Sequence, residues 1–249
     1  MRRLLRIALL LAVAFVAAML LLRETGYDQG AVDAIRTRVE ATLRPNATLD
    51  ERIAEIGPRA TTRLEEKFRA AAVAWPPKRV ALLAFKDERV VELQAEARDG
   101  RWKAVHRYRV EAQSGVAGPK LREGDRQVPE GLYRVTFLNP NSLYHVSLRL
   151  DYPNAFDRRM GQRDGRSDLG GDIMIHGRAA SIGCLAMGDP ASEELFVLAH
   201  RVGLANVSVV IAPSDFRKQG GGKAAIAGDA PAWVPALYAD IAQALADYP

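Results

Sequence analysis

The chain has 249 residues, 48% of them apolar and 26% charged, which suffices for one good core with appendages and excludes a disordered chain. Its formal charge is +5 and its pI about 9.5, but Arg2, Arg3, Arg6 and Arg23 flank one N-terminal apolar segment, and the other 31 basic residues face 30 acidic ones. That near-balance leaves no footprint for phosphate-backbone binding and argues against nucleic acid as a partner.

Met1 to Arg6 is a basic start, and Ile7 to Leu22 is an unbroken apolar run. An uncleaved single-span anchor over residues 1–23 is favoured over a cleaved signal peptide, because the run continues through Met19-Leu20-Leu21-Leu22 past Val16-Ala17-Ala18, the one plausible cleavage candidate. Leu4 and Leu5, with Arg6 snorkelling, lengthen the run toward the ~30 Å of a bilayer core. The arginine bias keeps the N-terminus inside, so the rest of the chain is expected outside the inner membrane, in the periplasm.

Residues 24–78 read as a helical stalk. Val32, Ile35, Val39 and Leu43 form an amphipathic stripe that Pro45-Asn46 ends. Thr48-Leu49-Asp50-Glu51 is a capping box opening a second helix through Ile53 and Ile56, stopped by Gly57-Pro58. A third helix is expected from Thr62 through Leu64, Phe68 and Ala72 to Trp75, before Pro76-Pro77. The stalk carries no chemistry, and packing on the following domain is its expected role.

From residue 79 the pattern changes to short strands: Val80 to Phe85, Val90 to Ala95, an Asp99-Gly100 turn, Trp102 to Val110, Leu132 to Leu138 and Tyr144 to Leu150. Many short strands with a few helices predict a mainly β, α+β domain. Gly115 to Lys120 lacks the Gly-Lys-Ser/Thr ending of a phosphate loop. The segment through Gly131 is expected to bend back toward the site, where Lys120, Arg122 and Arg126 either meet a substrate carboxylate or remain solvated. His145 reads as a structural hydrogen-bonding residue in preference to a cleft residue. Asp189 is expected to cap a helix that starts at Pro190 and runs through Leu195, Leu198 and Val202 to Gly203. Val207 to Ile211 is a further strand, Gly220-Gly221-Gly222 a flexible loop, and Trp233, Leu237, Ile241 and Leu245 a last amphipathic helix within residues 214–249.

Between these elements lies His176-Gly177-Arg178-Ala179-Ala180-Ser181-Ile182-Gly183-Cys184, which sets the single cysteine of the chain close behind a histidine. A neighbouring histidine lowers a thiol pKa and favours the nucleophilic thiolate. Gly177 and Gly183 are expected at positive φ, and backbone N–H groups around Gly183 and Cys184 are candidates for an oxyanion hole. Ser181 is expected to orient His176 or the loop. The four histidines, His106, His145, His176 and His200, have no metal-ligand spacing, so no metal or other cofactor is expected.

His176-Gly177 followed by Ser181-Ile182-Gly183-Cys184 resembles the signature of the L,D-transpeptidase catalytic domain, or YkuD domain, family. Gly118-Pro119-Lys120, Gly124-Asp125-Arg126, Pro129 to Tyr133 and Asn139 to Ser142 are similar to its YafK-like branch, so the resemblance covers residues 79–213. The commoner family pattern has His and Arg where this chain has Ile182 and Ala186, and its His-to-Cys interval is longer. Those departures touch the acceptor and leave the nucleophile and base in place. The resemblance implies a β-sandwich-like catalytic domain in which Cys184 forms a thioester with a peptidoglycan stem peptide, at the bond following the L-centre of a diamino acid. An amine acceptor then gives a crosslink, and water gives hydrolysis that trims stems or releases a wall-linked lipoprotein. A non-catalytic, membrane-anchored wall-binding protein is the reading from another class.

Overall fold

The computed structural model describes residues 46–218 and 230–249 together with Val39, so the apolar run at 7–22, the Val32 to Leu43 helix and the Gly220-Gly221-Gly222 loop lie outside the described residues. Among the described residues no helix is long and apolar enough to cross a membrane. Eight strands of the described residues form one mixed sheet, β1 (Val80–Phe85), β2 (Val90–Glu96), β3 (Trp102–Arg109), β4 (Gly131–Ser142), β5 (His145–Leu150), β6 (Met174–His176), β7 (Leu185–Ala186) and β8 (Val207–Ala212), in the order β3-β2-β1-β8-β4-β5-β6-β7. With α1 (Leu49–Ala70), α2 (Ala155–Arg163), α3 (Asp189–Val202) and α4 (Val234–Leu245) they make the α+β domain expected from the sequence.

Every residue of β1 is buried, because both faces of the sheet are covered. Val80, Leu82 and Ala84 join the core under α1 and α3, with Ile56, Leu64, Phe68, Leu195 and Phe196. Ala81, Leu83 and Phe85 face the opposite way, onto Trp233, Val234, Leu237 and Ile241 of α4 and its lead-in. Strand β4 joins the two halves of the sheet. Its start, Gly131 to Arg134, pairs antiparallel with β8, and from Val135 onward it pairs with β5, with an irregularity between Val135 and Phe137. The second half, β5-β6-β7, is the short edge that carries the histidine and the cysteine.

Two expectations are corrected. The Thr48 capping box forms, Thr48 Oγ1 accepting from Glu51 N at 3.2 Å, but the helix does not stop at Gly57-Pro58: α1 is continuous for 22 residues. Ile56, Ala60, Leu64 and Phe68 make one stripe across Pro58, all fully buried, and Ile56, Leu64 and Phe68 each gain about 1.5–3 kcal/mol on burial. That outweighs the ~3 kcal/mol an interior proline costs a helix. The cap of α3 is Gly188, at φ 74°, one residue before the expected Asp189, whose carboxylate is used elsewhere. Helix α2, which the periodicity did not announce, buries only Met160 and Gly161 and is started by an Asn154/Asp157 capping box.

Replacing the exposed Pro58 by alanine restores a helical N–H without disturbing the buried stripe. Pro58→Ala is expected to raise stability by about 2 kcal/mol, read as a higher urea midpoint at unchanged m-value.

Candidate active site

The site is assembled by pairing around β7. On one side β7 runs parallel to β6, with Ile175 opposite Leu185 and His176 opposite Ala186. On the other side Ala186 N donates to Ala112 O at 3.0 Å and Ala186 O accepts from Glu111 N at 2.8 Å. Side chains alternate along a strand, so Ile175 and Leu185 enter the core while His176, Ala186 and Cys184 belong to the other face. Met187 N to His176 O at 2.8 Å and Gly188 N to Arg178 O at 3.0 Å close the base of the connecting loop. His176, Gly177, Ser181, Gly183 and Cys184 are thereby gathered at one sheet edge.

The loop is fixed by hydroxyls. Ser181 Oγ donates to Cys184 O at 2.6 Å and accepts from Cys184 N at 3.0 Å, so it pins the backbone of the cysteine and does not orient His176. Gly183, at φ 90°, donates its N–H to Ser114 Oγ at 2.7 Å, and Ser114 Oγ donates in turn to Arg126 O at 2.8 Å. Both amides expected as oxyanion donors are therefore already hydrogen-bonded to neutral hydroxyls. Gly177 is not at positive φ. It is needed for space, since a Cβ there would lie 2.6 Å from Asp189 Oδ1 and 2.8 Å from Tyr144 O. Asp189 Oδ1 accepts from Arg178 N at 2.8 Å, which ties the start of α3 to the turn after His176. Ser114 carried no signal in the sequence, because it reaches Gly183 only across 69 residues of chain.

His176 is 2% exposed, and its Nδ1 lies 2.6 Å from Gly177 O. A carbonyl can only accept, so Nδ1 carries the proton and Nε2 of the neutral ring presents its lone pair. Tyr144 stacks on the imidazole, ring centroids 4.6 Å apart. Burial holds the His176 pKa below its ordinary value, against the opposing bond to Gly177. Burial also pushes the half-buried Cys184 thiol up, the charge of Asp172 adding to it while a Met174 backbone bond and Lys120 oppose it. The expected lowered thiol is thus corrected: the low-dielectric edge favours neutral thiol and neutral imidazole over an ion pair.

Of the basic residues expected near the site, Lys120 is buried and held by Asp125 Oδ1 at 2.6 Å and Arg122 O at 2.8 Å, so it braces its loop. Asp125 also accepts from the amides of Leu121, Arg122 and Gln127. Burial pushes its pKa up, but Lys120 and these amides outweigh burial, and the net shift is downward. His145 Nε2 meets Glu193 Oε1 at 3.0 Å, the structural role expected of it. Two exposed apolar side chains sit on the loops that meet at Gly183: Ile182, 73% exposed, and Val116, 70% exposed.

A mixed-sheet domain with this histidine turn and cysteine loop belongs to the L,D-transpeptidase catalytic domain family, whose YkuD model matches residues 77–211. Among curated proteins the chain is 33% identical over 139 residues to YafK of Escherichia coli K12, a candidate L,D-transpeptidase, covering 55% of this chain and 52% of that one. YafK of Escherichia coli O157:H7 matches to the same extent. The chain spans about half the length of the curated relatives it matches. Solved structures similar to it include the helical cell shape determining protein Pgp2 of Campylobacter jejuni, 23% identical with a TM-score of 0.43 over 61% of this chain and 54% of that one. Bd1075 of Bdellovibrio bacteriovorus is 20% identical with a TM-score of 0.39, over 56% and 50%.

Two outcomes follow from this geometry. Because the folded thiol has a raised pKa, its thiolate fraction at neutral pH is below that of a free thiol, so iodoacetamide should label Cys184 more slowly than free cysteine at pH 7, with the rate climbing as pH rises. Ser114→Ala removes the bridge between Gly183 N and Arg126 O and should cost about 1–3 kcal/mol in urea unfolding, while loosening the loop enough to speed that labelling.

Proposed function

We propose that this chain is a peptidoglycan-modifying cysteine acyl-transfer enzyme of the L,D-transpeptidase kind, with Cys184 as nucleophile and His176 as base. The observation that carries the reading is the tautomer of His176: its Nδ1–H is committed to Gly177 O, and the free Nε2 lies on the face of the sheet to which the chain's one cysteine belongs. His176 and Cys184 are diagonal neighbours on adjacent strands, with Cα atoms roughly 8 Å apart, a gap that an imidazole and a thiol span between them. Nε2 takes the Sγ proton as sulfur attacks the stem carbonyl. When the C–N bond breaks, the imidazolium returns that proton to the leaving amine and a thioester remains. An acceptor amine restores an amide as a crosslink, and water gives a free carboxylate.

The two hydroxyl-bound amides fit this chemistry as a held reserve. Ser114 and Ser181 keep the Gly183 and Cys184 N–H groups oriented, and a developing oxyanion, as a charged acceptor, competes for them better than a neutral hydroxyl does. The basic start followed by the apolar run supports an inner-membrane anchor with the catalytic domain in the periplasm, where stem peptides and wall-linked lipoproteins are reached.

The full-length protein incubated with purified muropeptides tests the reading by mass analysis. New dimers identify transfer, and shortened or released stems identify hydrolysis. Cys184→Ala and His176→Ala should each lower turnover by about 10³-fold or more at unchanged fold. Full turnover in both variants would sink the assignment.

A further inference from the structure

The motif Asn139-Pro140-Asn141-Ser142 closes β4, and the residues that follow it lie against the base. Ser142 pairs with His145, and Ser142 Oγ accepts from Tyr144 N at 3.1 Å, so Leu143 and Tyr144 form the tip of a hairpin. Tyr144 lays its ring on the imidazole of His176, centroids 4.6 Å apart and planes 31° from parallel. The backbone of the tip comes as close as the ring, for Tyr144 O lies 2.8 Å from where a Cβ on Gly177 would stand. His145 then turns the chain with left-handed backbone at φ 78°, a conformation that a non-glycine residue takes at a cost.

Helix α1 and the residues just before it hold the hairpin there. Asn141 Oδ1 accepts from Ala47 N and Asn141 Nδ2 donates to Ala47 O, both at 2.9 Å. The buried Arg52 donates from Nε to Pro140 O at 2.9 Å. At the other end of the tip His145 Nε2 meets Glu193 Oε1 at 3.0 Å, and Glu193 in turn accepts from Arg63 Nη2 at 3.0 Å. Ala47, Arg52 and Arg63 all precede residues 77–211, the span that matches the family model. The bond from Nδ1 to Gly177 O fixes which edge of the imidazole faces the backbone, but one bond leaves the plane of the ring free to swing about it. A neutral carbonyl also holds a base less firmly than a carboxylate does. A ring laid on one face of the imidazole stops that swing and keeps water from that face.

We propose that Tyr144 is a positioning residue for His176, its ring fixing the plane of the imidazole so that Nε2 stays aimed along the cysteine face, and that the ties from Ala47, Arg52 and Arg63 make α1 part of the active-site scaffold. The kinetic consequence rests on the acyl-transfer reading above, whereas the state of the imidazole can be read without any substrate.

The test combines NMR of the full-length protein, its histidines isotope-labelled, with turnover of purified muropeptides. In the wild type His176 is expected as the Nδ1–H tautomer, titrating below its ordinary value because burial outweighs the Gly177 bond. The charged and titratable groups on the elements around it are Arg178 with Asp189, His145 with Glu193, Arg149 with Asp172, and Cys184, and the variants replace none of them. Tyr144→Ala lets water onto the ring, so the His176 titration should move to higher pH and the tautomers should mix. Its kcat should fall by about tenfold or more with KM within about twofold. The stack is a contact of the ring, so Tyr144→Phe should recover all but about twofold of that loss and restore the wild-type spectrum. Asn141→Ala, at an exposed position, should move the spectrum and kcat the same way by a smaller amount, and serves if Tyr144→Ala does not fold. A His176 signal unchanged in Tyr144→Ala, or a Tyr144→Phe protein as slow as Tyr144→Ala, would overturn the positioning role. An Asn141→Ala protein identical to wild type in both measurements would overturn the part given to α1. No turnover by the wild type would overturn the acyl-transfer reading, and the spectra would then decide the positioning role alone.

Discussion

Everything at this site depends on the pairing of a two-residue strand on both of its edges. Leu185 and Ala186 are held by Ile175 and His176 on one side and by Glu111 and Ala112 on the other. Side-chain direction alternates strictly along a strand, so a slip of one residue would send Cys184 into the core and Leu185 to the solvent face. The fully buried Leu185 and Ile175 set the register, and that hydrophobic requirement places sulfur and imidazole on a common face.

Polar ties of unusual depth brace this edge from behind. Glu194 of α3 accepts from Arg63 Nε at 2.7 Å, from Tyr108 Oη at 2.7 Å and from Lys67, while Glu193 holds Arg63 and His145. The helix that begins at the Asp189 clamp is thus fastened to α1, β3 and β5 together. On the other side Lys86 donates to Gly118 O, Val128 O and Glu130 Oε1 at 2.9–3.0 Å, and Tyr238 donates to Glu130 Oε2 at 2.8 Å. Burial lowers the Lys86 pKa against the pull of Glu130, so a cation sits deep in the fold only because three acceptors surround it. This network fixes the 115–130 segment, and through Ser114 and Gln127 that segment shapes the cysteine loop.

The electrostatic character of the edge bears on mechanism. Desolvation acts on thiol and imidazole in opposite directions, raising one pKa and lowering the other, and both shifts favour the uncharged pair. Under the acyl-transfer reading proposed above, a thiol with a raised pKa is less open to adventitious electrophiles, and its activation would be coupled to the attack itself. The hydroxyls of Ser114 and Ser181 hold the Gly183 and Cys184 amides in place, which on the same proposal would keep them oriented for a stronger acceptor.

The sequence by itself determined the α+β class, the positions of nearly all strands, the Thr48 cap and the loop that joins His176 to Cys184, because these rest on period, turn chemistry and short spacing. Tertiary structure decided the rest. Pro58 lies inside a helix because the stripe from Ile56 to Phe68 is buried as a unit, and Lys120 is a brace because Asp125 folds back on it. Ser114 reaches Gly183, and the Asp172 carbonyl comes within 3.7 Å of the Cys184 sulfur, only through the pairing of separate segments. Such contacts leave no local pattern in the chain, since what fixes them is the register of the sheet and the solvent removed around it.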